Sequence, residues 1–134
     1  MAYTGHILRW DVFWADLDPA VGSEKAGERR PVIVVSNNGV NASLNVVTVV
    51  PATKRERKKR KVYPFEVLLP AGAITPKHES IVMPQQIRTI SKMRLLEKVK
   101  ESGSLSNLSQ RAEIENRILE HLGIQFEAEG LDAA

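Results

Sequence analysis

Four residues in the first half of the chain combine into one chemistry. Residues 22–38 read GSEKAGERRPVIVVSNN. A short polar loop carries Glu24, the adjacent arginines Arg29 and Arg30 close it, and Pro31 leads into the apolar run Val32-Ile33-Val34-Val35. Thr53 follows a second apolar run, Val46-Val47-Thr48-Val49-Val50, and the Pro51 that stops it. If the two runs are neighbouring strands, a carboxylate, a guanidinium and a hydroxyl surround one cleft. That set suits phosphate chemistry without a metal, because arginine grips phosphate oxygens bidentately and keeps its charge. The competing reading is an exposed Arg–Glu pair, worth ~0–1 kcal/mol, that only shapes the loop.

A second feature points to the same class of substrate. Residues 54–61 read KRERKKRK and carry a net +6, in a chain of net +3, so the remainder sums to −3. Positive charge confined to one segment is the footprint expected for a polyanionic partner. Lys54, Arg55, Arg57, Lys58, Lys59, Arg60 and Lys61 are therefore candidate phosphate contacts. They are expected on a flexible loop at the mouth of the cleft, since like charges repel and nothing apolar anchors the segment before Val62 and Tyr63. No HExxH, phosphate-binding glycine loop, GxSxG or metal-spaced His/Asp/Glu cluster occurs, so no metal or cofactor is implied. His6, His78 and His121 read as surface residues, and Asp16 and Asp18 as turn residues before Pro19.

The elements that position these groups are short. At 134 residues, 43% apolar, the chain suits a single folded domain. It has no run long enough to span a membrane, no signal peptide and no cysteine, which predicts a soluble cytoplasmic protein. The domain is expected over 10–124, between a flexible leader (1–9) and a flexible acidic tail (125–134). Residues 10–17, 32–35, 46–50, 63–69, 80–90 and 94–99 have strand composition, the fifth interrupted by a bulge at Pro84, and Asn37-Asn38-Gly39 signals a turn. From about Ser106 to Leu122 a helical stripe of Leu108, Ala112, Ile118, Leu119 and Leu122 is read, with Gly123 past its end. The fold class is mainly β with a C-terminal α-helix: a small, antiparallel barrel or curled sheet.

These segments also carry a resemblance. GSEKAGERRPVIVVS is similar to the signature of the MazF/PemK toxin endoribonucleases (mRNA interferases), in which a loop of type G-S/H-E-x-x-G-x-R-P precedes an apolar strand. Asp16-Leu17-Asp18-Pro19, Val49-Val50-Pro51-Ala52-Thr53 and Gln86-Ile87-Arg88-Thr89-Ile90 resemble further family segments, in the same order. The resemblance implies an SH3-like small barrel, a homodimer, a small antitoxin protein as partner, and metal-independent, sequence-selective cleavage of single-stranded RNA (mRNA) to 2′,3′-cyclic phosphate and 5′-OH ends. Carried over, Arg30, Glu24 and Thr53 are the catalytic set, and Arg29, Gln86 and Arg88 join the substrate contacts. This chain has one residue more than the usual spacing before Pro31, so Arg29 could share or take the role of Arg30. Gln85 stands where some members place an acid. Two other functional classes remain: a non-catalytic nucleic-acid-binding module, and a CcdB-like toxin that poisons a topoisomerase.

Overall fold

The computed structural model describes residues 2–25, 29–56, 60–99 and 103–125. Its elements run β1 (Val12–Ala15), β2 (Arg30–Val34), α1 (Asn38–Ser43), β3 (Val46–Arg55), β4 (Val67–Leu69), β5 (Glu79–Val82), β6 (Arg88–Ser91), β7 (Leu95–Lys98) and α2 (Leu108–His121). The seven strands form one antiparallel sheet in the order β4-β5-β3-β2-β1-β7, and β6 also pairs with β3. The sheet does not close into the expected barrel.

The unbroken apolar runs are explained by burial on both faces. Val12, Ile33, Val50 and Ala52 face one core with Val67, Leu69, Ile74, Val82 and the helix residue Ile114. Their strand neighbours Phe13, Val32, Val34, Val47 and Val49 face a second core with Leu17, Ile90 and Leu95. Alternation therefore disappears from the sequence although every side chain still alternates in space. Tyr3 and Ile7, from the stretch expected as a leader, pack against the second core, and the Tyr3 amide donates to the Leu95 carbonyl at 2.8 Å.

Strand β3 is the hinge of the fold. It pairs with β6 over Val46–Val49, with β5 over Ala52–Arg55, and on its other edge with β2 over Val49–Pro51. Pro51 does not stop it; the proline falls where one neighbour gives way to the next, and its carbonyl accepts from the Met83 amide at 2.9 Å. Because β2 leaves β3 after Val32↔Pro51 while β5 stays to Arg55↔Glu79, the sheet splits at this end. Lys54 and Arg55 consequently lie in a strand, not in the basic loop. Arg57, Lys58 and Lys59 lie outside the described residues.

Other expectations shift. Asn37 is an N-cap whose side chain accepts from the Val40 amide at 2.9 Å, so the Asn-Asn-Gly signal opens the short helix α1 instead of a hairpin turn. Pro84–Gln86 is a 3₁₀ turn between β5 and β6, not a bulge within one strand. Tyr63–Glu66 forms a turn, and β4 is only three residues long. Helix α2 starts at an Asn107 cap, and Gly123 follows it at φ 71°. It packs by Ile114 and Ile118 on the first core, while Leu108 and Leu122 stay 75% and 55% exposed. The contact stripe is thus narrower than the apolar pattern. No helix among the described residues is long and apolar enough to cross a membrane.

Candidate active site

The split in the sheet is the site. Arg30 opens β2, and Thr53 lies on β3 two residues beyond Pro51, so the register that pairs Val32 with Pro51 sets Arg30 opposite Thr53. Arg30 Nη1 donates across the gap to Thr53 Oγ1 at 3.1 Å. A cleft of about 620 Å³ opens there, with Trp14, Arg29, Arg30 and Pro31 on one wall and Thr53, Lys54, Glu56, His78 and Ser80 on the other. Arg60 and Thr75 complete it. Burial pulls the Arg30 guanidinium below its ordinary value, and the nearby Asp18 charge opposes that. A guanidinium lies so far above neutrality that it stays a cation.

The adjacent arginine is held differently. Arg29 forms an ion pair with Glu97 on β7, and its guanidinium stands 4.9 Å from the Trp14 ring centroid. Of the strand cations, Lys54 pairs with Glu56 at 3.7 Å and Arg55 with Glu79 at 3.3 Å. Arg60 is anchored too: it donates Nη1 and Nη2 to the two carboxylate oxygens of Glu66 at 2.8 and 2.9 Å. Lys61 lies 5.6 Å from the Tyr63 ring centroid.

Glu24 does not line this cleft. It lies in a separate hollow of about 280 Å³ with Gln85, Gln86, Ile87 and Arg88. Gln86 joins that hollow to the loop, since its Oε1 accepts from the Lys25 amide and its Nε2 donates to the Ser23 carbonyl, both at 3.2 Å. The structure thus brings together Arg29, Arg30, Thr53, Lys54 and Arg60 in one place, and Glu24, Gln86 and Arg88 in another. Lys25 connects the two. Burial first, then the charges of Arg30 and Arg60, pull its ammonium below the ordinary value, with Glu66 opposing.

Three side chains of interest were missed in the sequence. His78, set aside there as a surface residue, lines the cleft. Trp14, within the stretch 10–17 read only as a strand, forms part of its wall. Glu66 is buried at 4% exposure, where the alternation of Phe65, Val67 and Leu69 would have turned it outward. Gln85 Nε2 donates to it at 2.7 Å and the Tyr63 amide at 3.1 Å. Burial alone would raise this carboxyl. The hydrogen bonds from Arg60, Gln85 and Tyr63, with the Arg60 charge, outweigh burial and hold it below its ordinary value. An acid absent from position 85 is thus present beside it in space, though fully enclosed.

Comparison with known proteins agrees with this architecture. The family model described as PemK-like, MazF-like toxin of type II toxin-antitoxin system matches residues 8–122. Endoribonuclease MazF9 of Mycobacterium tuberculosis is 43% identical over 93 residues, covering 66% of this chain and 75% of that protein. Endoribonuclease EndoA of Bacillus subtilis is 37% identical over 93 residues, covering 69% and 78%. Among solved structures, MazF from Deinococcus radiodurans superposes with a TM-score of 0.72 at 24% identity, covering 90% of this chain and 100% of that one. An endoribonuclease in complex with its cognate antitoxin, from a mycobacterial species, gives a TM-score of 0.66 at 20% identity, with 92% and 100% covered. A cationic split at the end of a seven-stranded sheet, spanned by the Arg30–Thr53 hydrogen bond, and a family match over nearly the whole chain lead to one assignment: the chain belongs to the PemK-like, MazF-like toxins of type II toxin–antitoxin systems.

Proposed function

We propose that this protein is a toxin endoribonuclease that cuts single-stranded RNA, mRNA above all, without a metal and with sequence selectivity, leaving 2′,3′-cyclic phosphate and 5′-OH ends. The observation that carries the reading is the Arg30–Thr53 contact at the head of a cationic cleft, in a family whose curated relatives bear the name endoribonuclease. RNA supplies its own nucleophile, the 2′-OH. The protein must then accept its proton, stabilise the phosphorane and protonate the departing 5′-oxygen. Arg30 is assigned to the phosphorane charge. Thr53, which now accepts from Arg30, would turn its own hydroxyl proton toward a phosphate oxygen placed between them.

Glu24 is assigned as the base on its place in the family signature. Because it stands in the neighbouring hollow, that role requires the loop before β2 to carry it to the cleft on substrate binding. His78 lines the same cleft and an imidazolium can give up a proton, so His78 is assigned to protonate the leaving oxygen. Arg29, Lys54 and Arg60 would hold flanking phosphates. The basic residues Arg55, Arg57, Lys58, Lys59 and Lys61 would draw the strand in, and Gln86 and Arg88 would contact it beside Glu24. A small antitoxin that covers the cleft, a homodimer and a cytoplasmic location complete the reading. The antitoxin is supported by the similar fold of the mycobacterial endoribonuclease solved in complex with its cognate antitoxin.

Incubation of the purified protein with single-stranded RNA in excess EDTA, followed by analysis of the ends, tests this. Cleavage to cyclic phosphate and 5′-OH is expected. Binding without cleavage would leave the nucleic-acid-binding module, and inhibition of a topoisomerase with intact RNA would leave the poison.

A further inference from the structure

We propose that Tyr63 and Phe65 form a stacking platform for an RNA base beside the scissile bond; the proposal rests on the ribonuclease reading and adds a binding element to it. The two rings are parallel within 3°, with centroids 5.4 Å apart. Both are nonetheless open to solvent, at 44% and 47% exposure. In such an offset stack the rings face each other, and the outer face of Phe65 is the one left open for a base.

The surface is rigidly built. The Glu66 amide donates to the Tyr63 carbonyl at 2.9 Å, and the Tyr63 amide donates back to the Glu66 carboxylate at 3.1 Å. The same carboxylate is clamped by Arg60 and Gln85. Pro64 fixes φ between the two rings. A fully buried acid, satisfied by Arg60, Gln85 and the Tyr63 amide, thus fixes this exposed turn.

The occupant follows from what surrounds the rings. Arg60 and Lys61 stand over the Tyr63 ring, 5.8 and 5.6 Å from its centroid, so cations and aromatic rings share one surface. Single-stranded RNA has that pattern in complement, a π-face at every base and an anion between bases. Arg60 also lines the cleft of Arg30 and Thr53. A base on the platform is therefore linked through one side chain to the phosphate being cut. Stacking accepts any base, so the platform raises affinity for all sequences and leaves the cleavage preference to other contacts.

The test measures affinity of the full-length protein for a single-stranded RNA blocked against cleavage by 2′-O-methyl groups, by fluorescence anisotropy. Phe65→Leu keeps apolar bulk and removes the π-face; Phe65→Trp keeps the face. Phe65→Leu should lower affinity about five- to hundredfold, the range for one stacked base, with kcat on unblocked RNA within about twofold of wild type and an unchanged melting profile. Phe65→Trp should bind as wild type. Equal affinity of wild type and Phe65→Leu overturns the platform. So does a loss confined to antitoxin binding, which would assign the rings to that protein instead. Arg30→Ala run in parallel separates the two readings. If it still cleaves, the active-site assignment fails; if it binds blocked RNA but no longer cleaves, only the outcome for Phe65 decides the platform.

Discussion

Arg30 and Arg29 are neighbours in sequence and have different employment in space. Arg30 reaches across the split to Thr53, whereas Arg29 is tied to Glu97 and Trp14 on its own side of the split. Arg30→Ala should lower kcat by about 10²–10³-fold, the usual loss for one transition-state donor (~2.7–4 kcal/mol). Arg29→Ala should mainly raise KM. The reverse ranking in steady-state kinetics would give the catalytic role to Arg29. His78→Gln keeps a polar side chain of similar size but cannot donate a proton. It should slow cleavage of ordinary RNA by about 10²-fold or more and have far less effect on RNA with a 5′-thiolate leaving group, which departs without protonation. Equal slowing of both substrates would remove His78 from that step. Glu24→Gln should slow turnover more than binding, and an unchanged rate would remove Glu24 as the base.

At the scale of elements, Glu66 fastens the segment after β3 to the start of β4 through Arg60 and to the 3₁₀ turn through Gln85. Glu66→Gln replaces a charge-assisted clamp with at best a neutral one and should cost about 2–3 kcal/mol, measured by denaturant unfolding. Its carboxyl titrates below the ordinary value in the folded protein. The unfolded chain therefore binds the proton more readily. The contribution of Glu66 is complete above the ordinary carboxylate range and is lost as pH falls through the lowered folded value. The stability gap between wild type and Glu66→Gln should accordingly close in acid. A gap that stays constant down to the acid transition would mean that packing, not charge, is what the substitution removes.

For the whole molecule, the excess charge sets association. Three or four phosphate contacts by the basic segment imply a log–log salt slope near about −2 to −3 for a single strand. Replacing Arg57, Lys58 and Lys59 with Gln should flatten that slope and weaken binding to all sequences alike, leaving the cleavage preference intact. Arg60 is left in place because it also clamps Glu66. An unchanged slope would release these residues from RNA binding and leave antitoxin docking as their use. Met93, Leu108, Leu122 and Ile124 are exposed apolar side chains that the proposed homodimer would be expected to cover in part. Sedimentation at micromolar concentration should show a dimer, and a monomer would contradict it.

Local sequence carried much of this protein. The Val-rich runs could only be strands, because β-branched stretches of four or five residues between breakers have no other stable use. The loop–Arg–Pro–strand order was legible because Arg30 opens β2 beside Pro31, whereas Thr53 lies within β3, past a proline that does not end the strand. What local pattern could not show was which edges meet. The exchange of neighbours along β3 carried the strand through Pro51, split the sheet beside Arg30, and brought His78 and Trp14 to the cleft from distant segments. Likewise, Glu66 lies inside and Phe65 outside because the Tyr63–Glu66 turn precedes β4 and shifts the alternation that an uninterrupted strand would have kept. Propensity acts over a few residues, whereas register and burial are settled by partners on other strands, well outside that local window, and only the folded sheet supplies those.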